Sequence, residues 1–326
     1  MKAIELSYKN NQSVLDLNTD FEIPKRDGDQ LLIKVKAAAI NRTDLMAIET
    51  GKLPKGNPIL GVEVSGVVIE SESDLFPCGS RVMGLVNGGG YAEYALMSVG
   101  NAMLLPDQLS FEEGAAIPEV FLTAYQTLFW LGELGTNESI LIHAGASGVG
   151  TAVIQLAKQL TSAKIFVTAG TSEKLELCRS LGADFLINYR KEDFSDRIQQ
   201  ETKGRGVDVI LDFIGASYWE KNITSIALDG RLVLIGILSG TIIKELNLMD
   251  LLEKRITIKG TLLTPRSDTY KANLTNEFTI KTNELFEKKV LKPIVDTVFS
   301  LEEVEKAHHH MRDNKNKGKI ILKIND

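Results

Sequence analysis

The stretch LIHAGASGVGTAVIQLAK, Leu141 to Lys158, decides how the chain is read. It enters from the apolar run SILIHA, passes through a glycine cluster, and continues as GTAVIQLAK with helical spacing. Glycines at a strand-to-helix turn let the backbone approach an anion closely. The unpaired N–H groups and the dipole of the helix start then face that anion. Gly148, Val149 and Gly150 are therefore expected to cradle a pyrophosphate. The strict G-x-G-x-x-G pattern is not met in this reading, because Val153 stands at the third small position.

The surroundings strengthen the reading. Five more apolar runs follow: AKIFVTA, ADFLINY, VDVILDFI, RLVLIGI and RITIKGTLL. Helical stretches such as GTAVIQLAKQL and SEKLELCRSLG separate the first of them, and such alternation predicts a doubly wound parallel sheet. In such a sheet an NAD site needs a carboxylate about 20 residues on, where the next strand ends, to hold the ribose hydroxyls. That place is taken by Ala169, Gly170, Thr171 and Ser172. Lys174 follows in the next helix, and Tyr189 ends the strand after it. A small polar strand end beside a cation suits a 2′-phosphate, so NADPH is expected. Glu173 reads as a first-turn residue that complements the helix dipole.

Upstream the signals are different. LLIKVKAAAI, GVEVSGVVIES, RVMGLV and YAEYALM are short β runs broken by Gly, Pro, Asp and Asn, and they predict a partly open antiparallel barrel. The run GKIILKI, near residue 320, is a strand expected to rejoin that zone. The expected fold is α/β: a Rossmann doubly wound domain over 123–264, inserted into a β-rich domain made of 1–122 and 265–326. At 326 residues, two domains are the natural expectation.

Composition excludes several classes. The net charge of −6 argues against nucleic acid or anionic membrane as partners. No apolar run approaches the ~20 residues needed to span a bilayer. The start MKAIELSYKN lacks an apolar signal region, so a cytoplasmic location is expected. Cys78 and Cys178 lie too far apart for a CxxC site and read as reduced thiols. Three of the four histidines, His308, His309 and His310, follow a capping box at Ser300 and Glu303. Adjacent residues on a helix point in different directions, so they read as a partly solvated helix end and not as a metal site. His143 reads as a packed, hydrogen-bonded residue.

Taken together, NRTDL, ILGVEVSG, GGGYAEYA, AAIPEVFLTAYQTL, HAGASGVGTAVIQLAK and ALDGRLVLIG resemble the zinc-free quinone oxidoreductases. These are the zeta-crystallin-like branch of the medium-chain dehydrogenases/reductases, and the resemblance covers essentially the whole chain. It implies that the β-rich domain is GroES-like. Asn41 and Val62 stand where the zinc enzymes of the superfamily carry cysteine and histidine ligands, while Asp44 and Glu63 are kept. Neither replacement is a zinc ligand, and two cysteines cannot build a four-cysteine structural lobe, so no metal is expected.

The resemblance also implies that Ser147 joins Gly148, Val149 and Gly150 at the pyrophosphate, and that Gly170, Thr171, Lys174 and Tyr189 surround the 2′-phosphate. Thr123, Asn41, Ile237, Leu262 and Leu263 would line a nicotinamide pocket between the domains. Relatives commonly carry tyrosine where GKLPKGNP has Leu53, which with Asn41 is expected beside the substrate. LLTPRSD has Thr264 and Pro265 where relatives often have a more basic stretch. The implied activity is hydride transfer from NADPH to a quinone, with no catalytic residue identified, in a homodimer joined along the Rossmann sheet edge near RITIKG. The alternatives are a 2-enoyl or alkenal reductase, which must protonate a carbon, and an NADPH-binding sensor or structural protein without turnover.

Overall fold

A computed structural model of the chain describes residues 1–9, 12–51, 53 and 56–325. They form two compact units, Met1–Leu122 with Leu263–Asp326, and Thr123–Leu262. The first unit opens with β1 (Ala3–Lys9), β2 (Gln12–Asn18), β3 (Gln30–Ala39) and α1 (Arg42–Thr50). It continues through β4 (Glu63–Glu70), β5 (Arg81–Leu85), β6 (Tyr94–Ser98), β7 (Ala102–Leu104) and α2 (Phe111–Ala115). Helix α3 (Pro118–Tyr125) leads into the second unit.

The second unit alternates strand and helix: β8 (Ser139–Ile142), α4 (Gly148–Leu160), β9 (Lys164–Ala169), α5 (Ser172–Ser180), β10 (Phe185–Asn188), α6 (Phe194–Thr202) and β11 (Val207–Asp212). It ends with α7 (Trp219–Ser225), β12 (Ile226–Leu234), α8 (Leu248–Lys254) and β13 (Thr257–Gly260). The chain then returns through α9 (Asp268–Glu287), β14 (Val295–Ser300), α10 (Val304–Arg312) and β15 (Lys319–Lys323).

The second unit holds one parallel six-stranded sheet in the order β10-β9-β8-β11-β12-β13. The strand order reverses between β8 and β11, the topological switch point where doubly wound sheets bind ligands beyond their carboxyl ends. Strands β8 and β11 are buried along their whole length, as expected for a sheet covered on both faces by helices.

The first unit is built on the order β14-β15-β3-β4-β5-β7, with β6 also pairing β3 and a separate β1–β2 ribbon. All pairs are antiparallel except β14–β15. The GKIILKI run is β15, and it pairs β3 with Ile321 opposite Ala39. Its core gathers Ile4, Leu31, Ile33, Val64, Val82, Tyr91, Met97, Ile320 and Leu322. Helix α10 lays Val304, Ala307 and Met311 against that core. Among the described residues, no helix is long and apolar enough to cross a membrane.

Candidate active site

The glycine turn lies between β8 and α4. Ser147 caps the helix, its Oγ accepting the Gly150 N–H at 3.1 Å. Gly148 and Val149 are the first two residues of the helix, so their N–H groups have no intrahelical acceptor and remain for an anion. Gly150 has a different task. A Cβ there would lie 2.5 Å from the Ala144 carbonyl oxygen and 2.6 Å from that of Gly145. Only glycine lets the helix pack this closely on the turn. The third-glycine role thus falls on Gly150 and not on position 153, which corrects the frame taken from the sequence. In the corrected frame Gly145 and Ser147 hold the first two positions, and Val153 is simply core.

Two strand ends, those of β9 and β10, come together at Gly170. A Cβ on Gly170 would lie 2.7 Å from the Tyr189 hydroxyl and 3.1 Å from Arg190 Nε, so both side chains stand over the glycine. Thr171 caps α5, its side chain accepting the Lys174 N–H at 3.3 Å. Tyr189 and Arg190 are exposed. Arg190 is absent from the expected set. It directly follows the strand-ending tyrosine in NYRKED, and that adjacency was the signal for it.

Every residue expected at the cofactor in this unit, apart from Thr123 on α3, lies beyond the carboxyl end of a parallel strand. Ser147 to Gly150 follow β8, Gly170 to Lys174 follow β9, Tyr189 follows β10, Ile237 follows β12 and Leu262 follows β13. Ile237 and Leu262 are exposed, at 44% and 57%. Leu263 belongs to the other unit and is buried there.

Beneath the glycine turn a buried network ties the strand ends together. His143 bonds Thr168 Oγ1 at 3.0 Å and Asn222 Oδ1 at 2.7 Å, and Asn222 donates to Asp212 at 3.1 Å. Burial pushes the His143 pKa down to about 4, so the ring is neutral.

In the first unit Asn41 sits in a buried polar nest. Its Nδ2 donates to Glu63 Oε1 at 2.8 Å and to the Ala39 carbonyl at 3.2 Å, and its Oδ1 accepts from Lys319 Nζ at 2.7 Å. The same ammonium bonds Glu63 Oε1 at 2.7 Å and the Ile40 carbonyl at 2.9 Å, which uses all three of its donors. Glu63 Oε2 accepts the Glu119 backbone N–H at 2.8 Å. Asp44 accepts from the Asn41 N–H, the Gly61 N–H and the Tyr91 hydroxyl. Burial nonetheless raises its pKa to about 6. Asn41 therefore spends both amide hydrogens on the nest and keeps a single lone pair for any ligand. Thr43 and Thr264 approach at 3.5 Å beside it.

Leu53 is half-buried against the core of this unit, and its neighbours Lys52, Pro54 and Lys55 lie outside the described residues. The histidines of α10 diverge as adjacent helical residues must. His309 is exposed, and His310 bonds Asp296 at 2.7 Å. His308 is 1% exposed with its ring 3.4 Å from the Tyr91 hydroxyl, so the expected solvated helix end is corrected for that residue. It lies in the stripe 304, 307, 308, 311 that faces the barrel. Cys78 is exposed and Cys178 buried, its thiol pushed up to about 12 by burial.

Two family models match the chain: the alcohol dehydrogenase GroES-like domain over residues 27–107, and the zinc-binding dehydrogenase over residues 148–277. The chain is 30% identical to the human quinone oxidoreductase, covering 99% of this chain and 97% of that one. The solved Escherichia coli quinone oxidoreductase complexed with NADPH superposes with a TM-score of 0.85 at 27% identity, over 99% of this chain and 100% of that. An NAD-dependent alcohol dehydrogenase does so with a TM-score of 0.88 at 28% identity, over the full length of both.

A fold shared between NAD and NADPH proteins does not select the cofactor, so that choice rests on the end of β9. Nor do the residues fit the metal in the second model's name. Asn41 and Val62 are not zinc ligands, and the Lys319 ammonium already stands 2.7 Å from both Asn41 and Glu63. With both domain types in family order and 30% identity over 99% of the chain to a quinone oxidoreductase, the chain belongs to the zinc-free quinone oxidoreductase group of the medium-chain dehydrogenases/reductases, enzymes that move reducing equivalents with a nicotinamide cofactor.

Proposed function

We propose that the protein is an NADPH-dependent quinone reductase. The observation that carries the cofactor choice is Gly170 lying beneath the Tyr189 hydroxyl and the Arg190 guanidinium, at a strand end without a carboxylate. A phosphate dianion there gains charge-assisted hydrogen bonds, which the ribose hydroxyl of NADH cannot match. Lys174, in the first turn of α5, adds a second cation. The N–H groups of Gly148 and Val149 would hold the pyrophosphate, with Ser147 and Gly150 fixing the turn. Thr123, Ile237, Leu262 and Leu263 are proposed at the nicotinamide end. When bound, NADPH supplies the hydride.

Quinone as acceptor is supported by the whole-length likeness to the human quinone oxidoreductase. A quinone accepts hydride readily, so positioning by apolar walls supplies much of the rate without a Lewis acid. The test is Kd for NADPH and NADH, together with NADPH consumption against an ortho-quinone, an enoyl thioester and no acceptor. The expected result is NADPH binding at least tenfold tighter and consumption with the quinone. Equal affinities would overturn the cofactor reading. Turnover of the thioester alone would make the protein an enoyl reductase, and tight NADPH binding without turnover would make it a sensor.

The homodimer is proposed through β13, which forms an edge of the six-stranded sheet. Ile258 on that strand is exposed, as are Leu248, Met249 and Leu252 on α8. An unpaired edge flanked by apolar surface is an aggregation hazard unless covered, and a second copy pairing antiparallel covers it. Sedimentation should give twice the chain mass, and Ile258→Lys should return the monomer.

A further inference from the structure

Two-electron reduction of a quinone consumes a proton as well as a hydride, and the sequence offered no acid for it. The nest around Asn41 contains one. Glu119 is the second residue of α3, bound through its backbone N–H to Glu63. Its Oε2 is buried and meets no hydrogen-bond donor among the described residues. The donors nearby bond elsewhere: Lys319 to Glu63, Asn41 and the Ile40 carbonyl, Lys271 to Asn87, and the Tyr91 hydroxyl to Asp44. A carboxylate with an orphaned buried oxygen is costly, whereas a carboxylic acid turns that oxygen into an O–H donor awaiting an acceptor. The position also fits. Asn41 shares the Glu63 carboxylate with Glu119, and Thr123 lies one helical turn further along α3. Both were singled out for the nicotinamide end.

We propose that Glu119 is the proton donor of quinone reduction, a role that rests on the quinone-reductase reading. In the step, NADPH leaves as NADP⁺ after giving its hydride to the quinone. The Glu119 O–H bond breaks, its proton goes to a quinone oxygen, and the electron pair stays on the carboxylate, which a proton from water later resets. The product is the hydroquinone.

The charged groups facing Glu119 come from four elements. Burial and the Glu63 carboxylate on β4 raise its pKa, and Asp44 on α1 adds to them. Lys319 on β15 and Lys271 on α9 oppose, and the balance lies at about 8. The acid form therefore holds the proton at neutral pH, and the rate is expected to fall as pH rises past that value.

The decisive variant is Glu119→Gln, which keeps the shape and the backbone bond but has no proton to give. Single-turnover reduction of an ortho-quinone should slow by roughly 10²-fold. The decline above about pH 8 should vanish with it, while NADPH affinity stays within twofold. Infrared difference spectra of the cofactor-free protein at pH 7 should show a protonated-carboxyl band in the wild type that the variant lacks. A rate within twofold of wild type with an unchanged pH profile, or no such band, overturns the proposal. Should the variant fail to fold, the wild-type rate and the band must lose intensity at one common pH, and separate midpoints overturn it. A wild type that reduces no quinone overturns the function and this role together, and the band then distinguishes that failure from a Glu119 that carries no proton.

Discussion

At the start of α4 two backbone N–H groups stand without a helical acceptor, and beyond β9 and β10 lie Lys174 and the exposed Arg190. Beside Asn41 a lysine meets a carboxylate almost out of reach of water. The first arrangement is local, since residues 147 to 190 supply all of it from consecutive strand ends. The second draws on residues 41, 44, 63, 119 and 319. The first rests on backbone N–H groups that the fold leaves without helical acceptors and on side chains near the surface, so it adds little to stability, and its expected effect is on binding. The second buries the full charges of Lys319 and Glu63, so each of that pair depends on the other. Substitutions in the two regions should therefore fail in opposite ways, one losing ligand and the other losing fold.

The largest effect is expected at Lys319. Its side chain is 4% exposed and that of Glu63 is fully buried. Lys319→Ala leaves the carboxylate uncompensated and should cost about 3–5 kcal/mol in denaturant unfolding. A loss below ~1 kcal/mol would mean the nest is wet and the contrast false.

Next come the two buried neutral histidines, one in each unit. Each has a folded pKa of about 4 against 6.5 when exposed. The folded state thus resists protonation. The stability each contributes is complete above pH 6.5 and is lost as pH falls toward 4, by about 3 kcal/mol at full extent. His308→Leu should remove one share of that acid loss. The difference between variant and wild type isolates it from the carboxyl groups that titrate over the same range, and an unchanged acid slope would place the ring in water.

Smaller in energy but cleaner in kind are Lys174→Ala and Arg190→Ala. On the proposed 2′-phosphate reading each removes a charge-assisted bond of roughly 1.5–3 kcal/mol, so Kd for NADPH should rise by one to two decades while Kd for NADH barely moves. Unfolding should change by no more than ~0.5 kcal/mol. Equal weakening of both cofactors would dissolve the assignment of this pocket to a phosphate. The smallest effect is expected at Leu53→Tyr. Leu53 leans on the core of its unit, so quinone KM should shift by about twofold, roughly 0.5 kcal/mol. No shift with quinones of several sizes would remove position 53 from the substrate.

The same contrast explains what could be read from the sequence. The parallel sheet, the glycine turn and the Gly170 corner are written in short segments, and their strand and helix periods are visible without tertiary knowledge. The strand near residue 320 was legible as well, though not that it would deliver Lys319 to Asn41. Nothing local in AAIPEVFLTAYQTL marks Glu119 as an acid. Its chemistry depends on burial and on Glu63, 56 residues away. His308 reads as partly solvated because it stands in a run of three histidines at a helix end, yet it is buried. Its place in the apolar stripe Val304, Ala307, Met311 would have shown it buried. The third glycine was misplaced because counting small residues cannot show which one touches a carbonyl. That is a matter of 2.5 Å, and in this turn it is Gly150 that meets it.

The pairing of β15 with β3 has a consequence for biosynthesis. Asn41 and Lys319 are 278 residues apart, and the whole second unit is translated between them. At ~5–20 residues per second the ribosome takes roughly 15–55 s to cover that interval. Throughout it, the end of β3 that β15 will cover is an open edge, and Glu63 lies in an unfinished sheet without its cation. The inserted unit, continuous from Thr123 to Leu262, can close meanwhile on its own contacts. A nascent chain paused before residue 319 would thus carry a finished nucleotide fold beside an unsealed barrel, the form of this protein most in need of a chaperone.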